Sequence, residues 1–273
     1  MNKLKKLAIV LLTFLLVGEM AGTIFGADVA KPKTKELKVD SLFADTEGTM
    51  MIKSLRKNKM YVYNLKRSKE RFTPESTFKV PNALIGLEEK VVEDEYDVKR
   101  WDGIVREIEE WNRDHTLGSG MRHSVIWYYQ DMARDIGARK MQKHLNRINY
   151  GNRDISGGID TFWLDSSLRI SAQEQMAFME RLVREKLPFH KQTMKTVKRM
   201  MIDDEQDSYT IHGKTGTRLS DMGLGWYVGF VETKKDIWVF ATNVDSSGSV
   251  AKDITLKSLK KLRIIPKNKK RSM

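Results

Sequence analysis

The 273 residues carry 49 Lys+Arg against 36 Asp+Glu, a formal net charge of +13, with 40% hydrophobic and 31% charged residues and no cysteine. That balance describes a globular chain long enough for one large domain or two closely packed lobes, and it argues against an integral membrane protein. Without cysteine there are no disulfides, no thiolate metal sites and no lipidated cysteine anchor. The positive excess suits nucleic acid, anionic membrane or acidic wall polymer as a partner, or solubility alone.

In chain order, Met1–Lys6 holds three lysines, Leu7–Val17 is an apolar run, and small residues follow to Ala27 or Ala30. This is the pattern of a secretory signal peptide, too short for the ~20 residues of a bilayer span. The expected organisation is therefore a signal over 1–30 and one domain over 31–273. Export removes nucleic acid as a partner and turns the positive charge toward an anionic cell wall or membrane surface. Lys31–Val39 reads as an exposed, charged connector. Gly48–Leu65 reads as a hairpin, with strands at Thr49–Ile52 and Met60–Tyr63. Ser76–Glu89 has the apolar residues of a buried helix, with Pro81 near its start.

From about 90 to 205 the pattern is mainly helical. Val125–Ile136 ends at Gly137, and Ser171–Glu185 opens on the capping-box spacing Ser-Ala-Gln-Glu. Strands follow at Tyr209–His212, Gly225–Val231 and Ile237–Val244, then a helix at Ala251–Leu262 and a basic tail. The order predicts an α+β fold in which the first hairpin joins the last strands in one antiparallel sheet.

The chemistry-bearing candidates are few. Ser76-Thr77-Phe78-Lys79 sets a hydroxyl and an amine three residues apart, on one helical face, where a base could activate the serine. The same spacing occurs at Ser54/Lys57, Ser249/Lys252 and Ser258/Lys261, but only Lys79 lies in an apolar helix, where an unpaired lysine is costly. An ordinary lysine, with pKa near ~10.4, is protonated and cannot act as a base; it has to be desolvated or modified. Lys214-Thr215-Gly216 could hold an anionic group on a strand edge, or could be a strand end with a turn glycine. Ser124-Val125-Ile126, Tyr150-Gly151-Asn152 and Phe162-Trp163-Leu164-Asp165 are individually uninformative, and the last suits core packing. The five histidines lack zinc spacing, so no metal is expected, and neither a dinucleotide loop nor a Gly-x-Ser-x-Gly elbow occurs.

Together and in this order the motifs resemble the class D serine β-lactamases over nearly all of the chain beyond the signal. Ser-x-x-Lys with Lys-Thr-Gly is shared with penicillin-binding proteins. The Tyr150-Gly151-Asn152 and Phe162–Ser171 segments are similar to class D, and the Ser-Asp-Asn triplet of class A is absent. Glu95–Gly103 is similar to the branch found in Gram-positive bacilli. The resemblance implies a β-lactamase/transpeptidase-like fold, an antiparallel sheet flanked by helices with a helical lobe, that hydrolyses β-lactams through a serine acyl-enzyme.

It also implies roles. Ser76 is the nucleophile, and Lys79, carboxylated by carbon dioxide, is the general base, its carbamate held by the Trp163 indole. The backbone N–H groups of Ser76 and Thr217 form the oxyanion hole. Ser124 relays a proton with help from Lys214. Thr215, Gly216 and Thr217 bind the substrate, and Ile126 and Leu164 border the path of the deacylating water. No cofactor other than carbon dioxide is implied.

Two departures stand out. Ile126 replaces a usual valine and, with Leu164, would crowd the path of the deacylating water, which predicts slow turnover. Val250-Ala251-Lys252-Asp253 lacks the arginine that binds the substrate carboxylate, leaving Lys252 or Arg218 as candidates. The rival readings are a penicillin-sensing or penicillin-binding protein that stays acylated, and a cell-wall DD-peptidase.

Overall fold

The computed structural model describes residues 32–44 and 46–267. The signal-peptide reading of 1–30 lies outside these residues, as does the tail beyond Lys267. In chain order the elements are β1 (Lys33–Glu36), α1 (Asp40–Phe43), β2 (Gly48–Ser54), β3 (Lys59–Tyr63), β4 (Arg71–Phe72), α2 (Lys79–Glu88), β5 (Val98–Lys99), β6 (His115–Thr116), α3 (Leu117–Arg122), α4 (Ile126–Ile136) and α5 (Ala138–Ile148). They continue with β7 (Ile170–Ser171), α6 (Ala172–Val183), α7 (Lys191–Met200), β8 (Ile202–Gln206), β9 (Tyr209–Thr217), β10 (Gly225–Thr233), β11 (Ile237–Val244) and α8 (Gly248–Lys261).

The apolar runs of β10 and β11 make the centre of a seven-stranded sheet ordered β1-β3-β2-β11-β10-β9-β8. Both strands are buried on two faces, so their side chains divide by the two-residue period. Trp226, Val228 and Phe230 face the core shared with α6 and the helical lobe. Tyr227, Val231 and Phe240 face α8 through Ala251, Ile254 and Leu259. The first hairpin joins the last strands through β2 and β11, from Gly48↔Val244 to Ser54↔Trp238.

Three expectations change. The segment 32–39 is exposed over Lys33–Glu36, as expected, but it is a strand and not a connector: β1 pairs parallel with β3, making one parallel edge on an otherwise antiparallel sheet. Leu37 and Val39 are buried against Phe43. Charged residues disguised this edge strand, because its own four side chains all face solvent. Ile202–Gln206, read as part of the helical region, is edge strand β8, and most of 89–116 is loop, broken by the short β5–β6 pair and a 3-10 turn at Glu109–Trp111. The last helix begins at Gly248, three residues early, where Ser247 caps it by accepting from Val250 N–H. The capping box at Ser171 and Glu174 and the stop at Gly137 (φ 77°) fall where the sequence sets them.

Candidate active site

Ser76 sits in a 3-10 turn, Glu75–Phe78, that runs directly into α2. Pro74 presets the entry, and Glu75 adopts φ +50°, a left-handed conformation that non-glycine residues hold only where surroundings enforce it. Lys79 opens α2, 1% exposed, and its Nζ donates to Ser76 Oγ at 2.9 Å. Burial pushes the Lys79 amine well below its ordinary pKa; the charge of Lys214 adds to this and Glu75 opposes it. A neutral amine has a lone pair, so the same contact can run in reverse and take the serine proton. The Tyr129 ring, 5.4 Å from Nζ, closes the apolar wall.

A second serine–lysine pair stands beside the first. Ser124 occupies the bend between α3 and α4 at φ +56°, and Lys214 Nζ donates to its Oγ at 3.0 Å and to the Thr215 carbonyl at 3.1 Å. Burial pulls the Lys214 amine down to about 8, with Asp203 opposing and Lys252 adding to the shift.

Strand β9 meets the nucleophile turn at Gly216. A Cβ there would stand 3.0 Å from the Pro74 carbonyl oxygen and 3.2–3.3 Å from Thr77 and Glu75 side-chain atoms, which explains the glycine. Edge strand β8 stops pairing at His212, and the Gly213 N–H goes to the Met201 carbonyl. Backbone direction alternates along a strand, so the N–H groups of Thr215 and Thr217 point to this same edge, beyond the end of β8. Ser76 lies at the start of its turn, where N–H groups have no partner within the turn. The Thr217 hydroxyl accepts from Gly248 N–H at 2.9 Å, which leaves its own proton to give.

Trp163 is fully buried, stacked on Phe78 at 5.2 Å, and its indole N–H has no hydrogen-bond partner among the described residues. Such orphaned donors are rare in interiors and call for an acceptor. Tyr150-Gly151-Asn152 supports rather than joins the site. Tyr150 packs edge-on against Phe78, and Asn152 ties the loop through Ser167 O and Arg169 N–H. Ile126 and Leu164 are half-buried at the edge of the same core.

Of the two cations considered for a substrate carboxylate, Arg218 is committed to both oxygens of Asp221 at 2.9 and 2.7 Å. Lys252 is bound to Asp203 at 2.7 Å but lines a cavity of about 170 Å³ together with Arg122, Lys214 and Thr215.

Sequence reasoning missed Glu75. Its buried carboxylate accepts from the Thr73 hydroxyl at 2.6 Å and the Asp165 N–H at 3.0 Å, while its own N–H donates to the Trp163 carbonyl at 3.0 Å. Burial pushes this carboxyl above its usual range against those hydrogen bonds. The available signal was a charged residue directly before the nucleophile in an otherwise apolar turn. Asp203, between Tyr227 and Lys252, was missed as well, because it lies on the strand read as helix.

The fold and paired serine–lysine geometry define a transpeptidase-like serine acyltransfer protein, and the comparisons with known proteins agree. The family model of the penicillin-binding protein transpeptidase domain matches residues 41–261. The probable β-lactamase YbxI of Bacillus subtilis (strain 168) is 56% identical over 265 residues, 96% of this chain and 99% of that protein. β-Lactamase OXA-48 of Klebsiella pneumoniae is 42% identical, covering 81% and 85%. The solved structure of class D β-lactamase BAT-2 superposes with a TM-score of 0.83 at 62% identity, over 85% of this chain and 98% of that one. The chain belongs to the class D serine β-lactamases, in the Bacillus branch of that family.

Proposed function

We propose that this protein hydrolyses β-lactam antibiotics through an acyl-enzyme on Ser76. The observation that carries the reading is the Lys79–Ser76 contact inside a desolvated pocket, with Lys214–Ser124 alongside. Ser76 Oγ gives its proton to residue 79 and attacks the lactam carbonyl. The Ser76 and Thr217 N–H groups meet the developing oxyanion, each donor contributing about 3–4 kcal/mol in such sites. Ser124 passes a proton to the departing lactam nitrogen, assisted by the charge of Lys214. Thr215 and Thr217 hold the substrate carboxylate, with Lys252 the cation placed to help. Water, activated at residue 79, then releases the acyl group past Ile126 and Leu164.

The modification the family implies on Lys79 is a carbamate formed with carbon dioxide. Two features fit it: an amine kept neutral is the form that captures carbon dioxide, and the unpaired Trp163 indole is a donor suited to an anionic oxygen. When present, the carbamate supplies an anionic oxygen base at this position.

The N-terminal basic and apolar segments support export, and the net charge supports association with an anionic cell wall or membrane surface. No helix among the described residues is long and apolar enough to cross a membrane.

A time course with a chromogenic β-lactam in bicarbonate-supplemented buffer tests the reading. Steady turnover well beyond one equivalent is expected. A burst that stops at one equivalent would make the protein a stably acylated sensor or penicillin-binding protein. Release of D-alanine from an acyl-D-alanyl-D-alanine peptide without β-lactam turnover would make it a wall peptidase.

A further inference from the structure

The sheet ends in a basic groove at the pole away from Ser76. The active-site end of β10 is Gly225, opposite Thr217, and the strand runs nine residues to Thr233. At about 3.4 Å per residue, the far end lies roughly 27 Å from the site. Three cavities of about 470 Å³ each open there, and the middle one shares Arg263 with one neighbour and Arg56, Lys234 and Lys235 with the other, so they adjoin in a row. Arg56 and Lys57 come from the β2–β3 turn, Lys234 and Lys235 from the β10–β11 turn, and Arg263 and Lys267 from the segment after α8. These six side chains are exposed, and none forms an ion pair among the described residues. The one carboxylate in the lining, Asp236, is occupied by the Ser54 hydroxyl at 2.5 Å and the Arg56 N–H at 3.0 Å.

Three separate segments thus deliver unpaired cations to one concavity, an arrangement that concentrates positive potential. The lining argues about its occupant. The large exposed apolar side chains are Leu65, Tyr96, Val98, Ile104, Val105, Ile108, Ile202, Leu219 and Met222, and none of them lines this groove. A bilayer would be gripped by apolar side chains inserted beside the cations, and unpaired bases by exposed aromatic platforms. Tyr61 and Trp238 are half-buried against each other. A flexible chain of successive phosphate charges needs neither.

We propose that this groove binds a linear, base-free, phosphate-bearing polyanion, which would hold the enzyme on an acidic polymer with its catalytic mouth facing away. The proposal rests on the wider reading that the basic surface meets an anionic envelope, and it assigns that role to one place.

The test titrates long-chain inorganic polyphosphate into the full-length chain, into Lys234→Glu/Lys235→Glu, and into Arg139→Glu/Lys143→Glu on α5, which reverses the same charge elsewhere. The unaltered chain should bind with strong salt dependence. The groove variant should bind about tenfold or more weakly, the α5 variant near the unaltered level, and both should hydrolyse β-lactam as before. Equal weakening in both variants would overturn the groove and leave only net charge. Groove-dependent binding to phosphatidylglycerol vesicles without polyphosphate binding would assign a membrane instead. Failure of the unaltered chain to bind either probe would overturn the wider reading too.

Discussion

Two lysines with different duties share one pocket, and their environments separate them. Lys79 is the more strongly depressed, by burial and by the neighbouring charge of Lys214, which favours the neutral form that chemistry at Ser76 requires. Lys214 is held at about 8, because Asp203 partly restores what burial removes. It is therefore protonated below that pH and loses its charge above it. If its charge orients the substrate carboxylate and assists Ser124, kcat/KM should fall as pH rises through about 8. Lys214→Arg keeps the charge, so it should move this limb upward even if absolute activity drops with the altered geometry. A pH profile of the two proteins checks this; an unmoved limb would assign the ionisation elsewhere.

The site is assembled where four segments meet: the Glu75–Phe78 turn, the Trp163 loop, the Ser124 bend between α3 and α4, and the open end of β9. Glu75 is the seam between the first two, through its carboxylate and its N–H. Removing an acceptor from a buried donor costs about 1–3 kcal/mol. Glu75→Ala should lose stability on that scale and lower kcat more than KM, because the Asp165 N–H and Thr73 hydroxyl both lose their acceptor. Glu75→Gln, which keeps an oxygen for the Asp165 N–H, should recover most of both. Thermal melts with steady-state kinetics decide it; an alanine variant indistinguishable from wild type would make the seam incidental. At this scale the sequence was legible where local chemistry dominates: the Ser171 capping box, the Gly137 stop, and a lysine placed three residues beyond Ser76. It was illegible where tertiary pairing overrides local pattern. The segment Lys33–Glu36 has four exposed, mostly charged side chains and is a strand only because β3 offers its edge. Ile202–Gln206 reads as polar and becomes strand through Tyr209–His212.

Over the whole molecule, the sheet carries chemistry at one end and unpaired positive charge at the other, while α6 and α8 cover its faces. The sequence recorded the charge excess but not its gathering into a groove, since Arg56, Lys234 and Arg263 are far apart in the chain and meet only by folding. The same holds for the candidate site. Ser76–Lys79 is local, but the pairing of Ser124 with Lys214, 90 residues apart, became expected only through resemblance to a family. Glu75 and Asp203 had no such guide.

The central claim is that residue 79 supplies the base for acylation and for release of the acyl group. Intact-mass spectrometry during and after exposure to a limiting penicillin tests it most directly, on the wild type and Lys79→Ala. The wild type should return to its unmodified mass once substrate is exhausted. Lys79→Ala should fold, turn over about 10²–10⁴-fold more slowly, as loss of a general base implies, and either fail to acylate or retain the adduct. A Lys79→Ala protein that acquires and sheds the adduct at the wild-type rate would contradict the account.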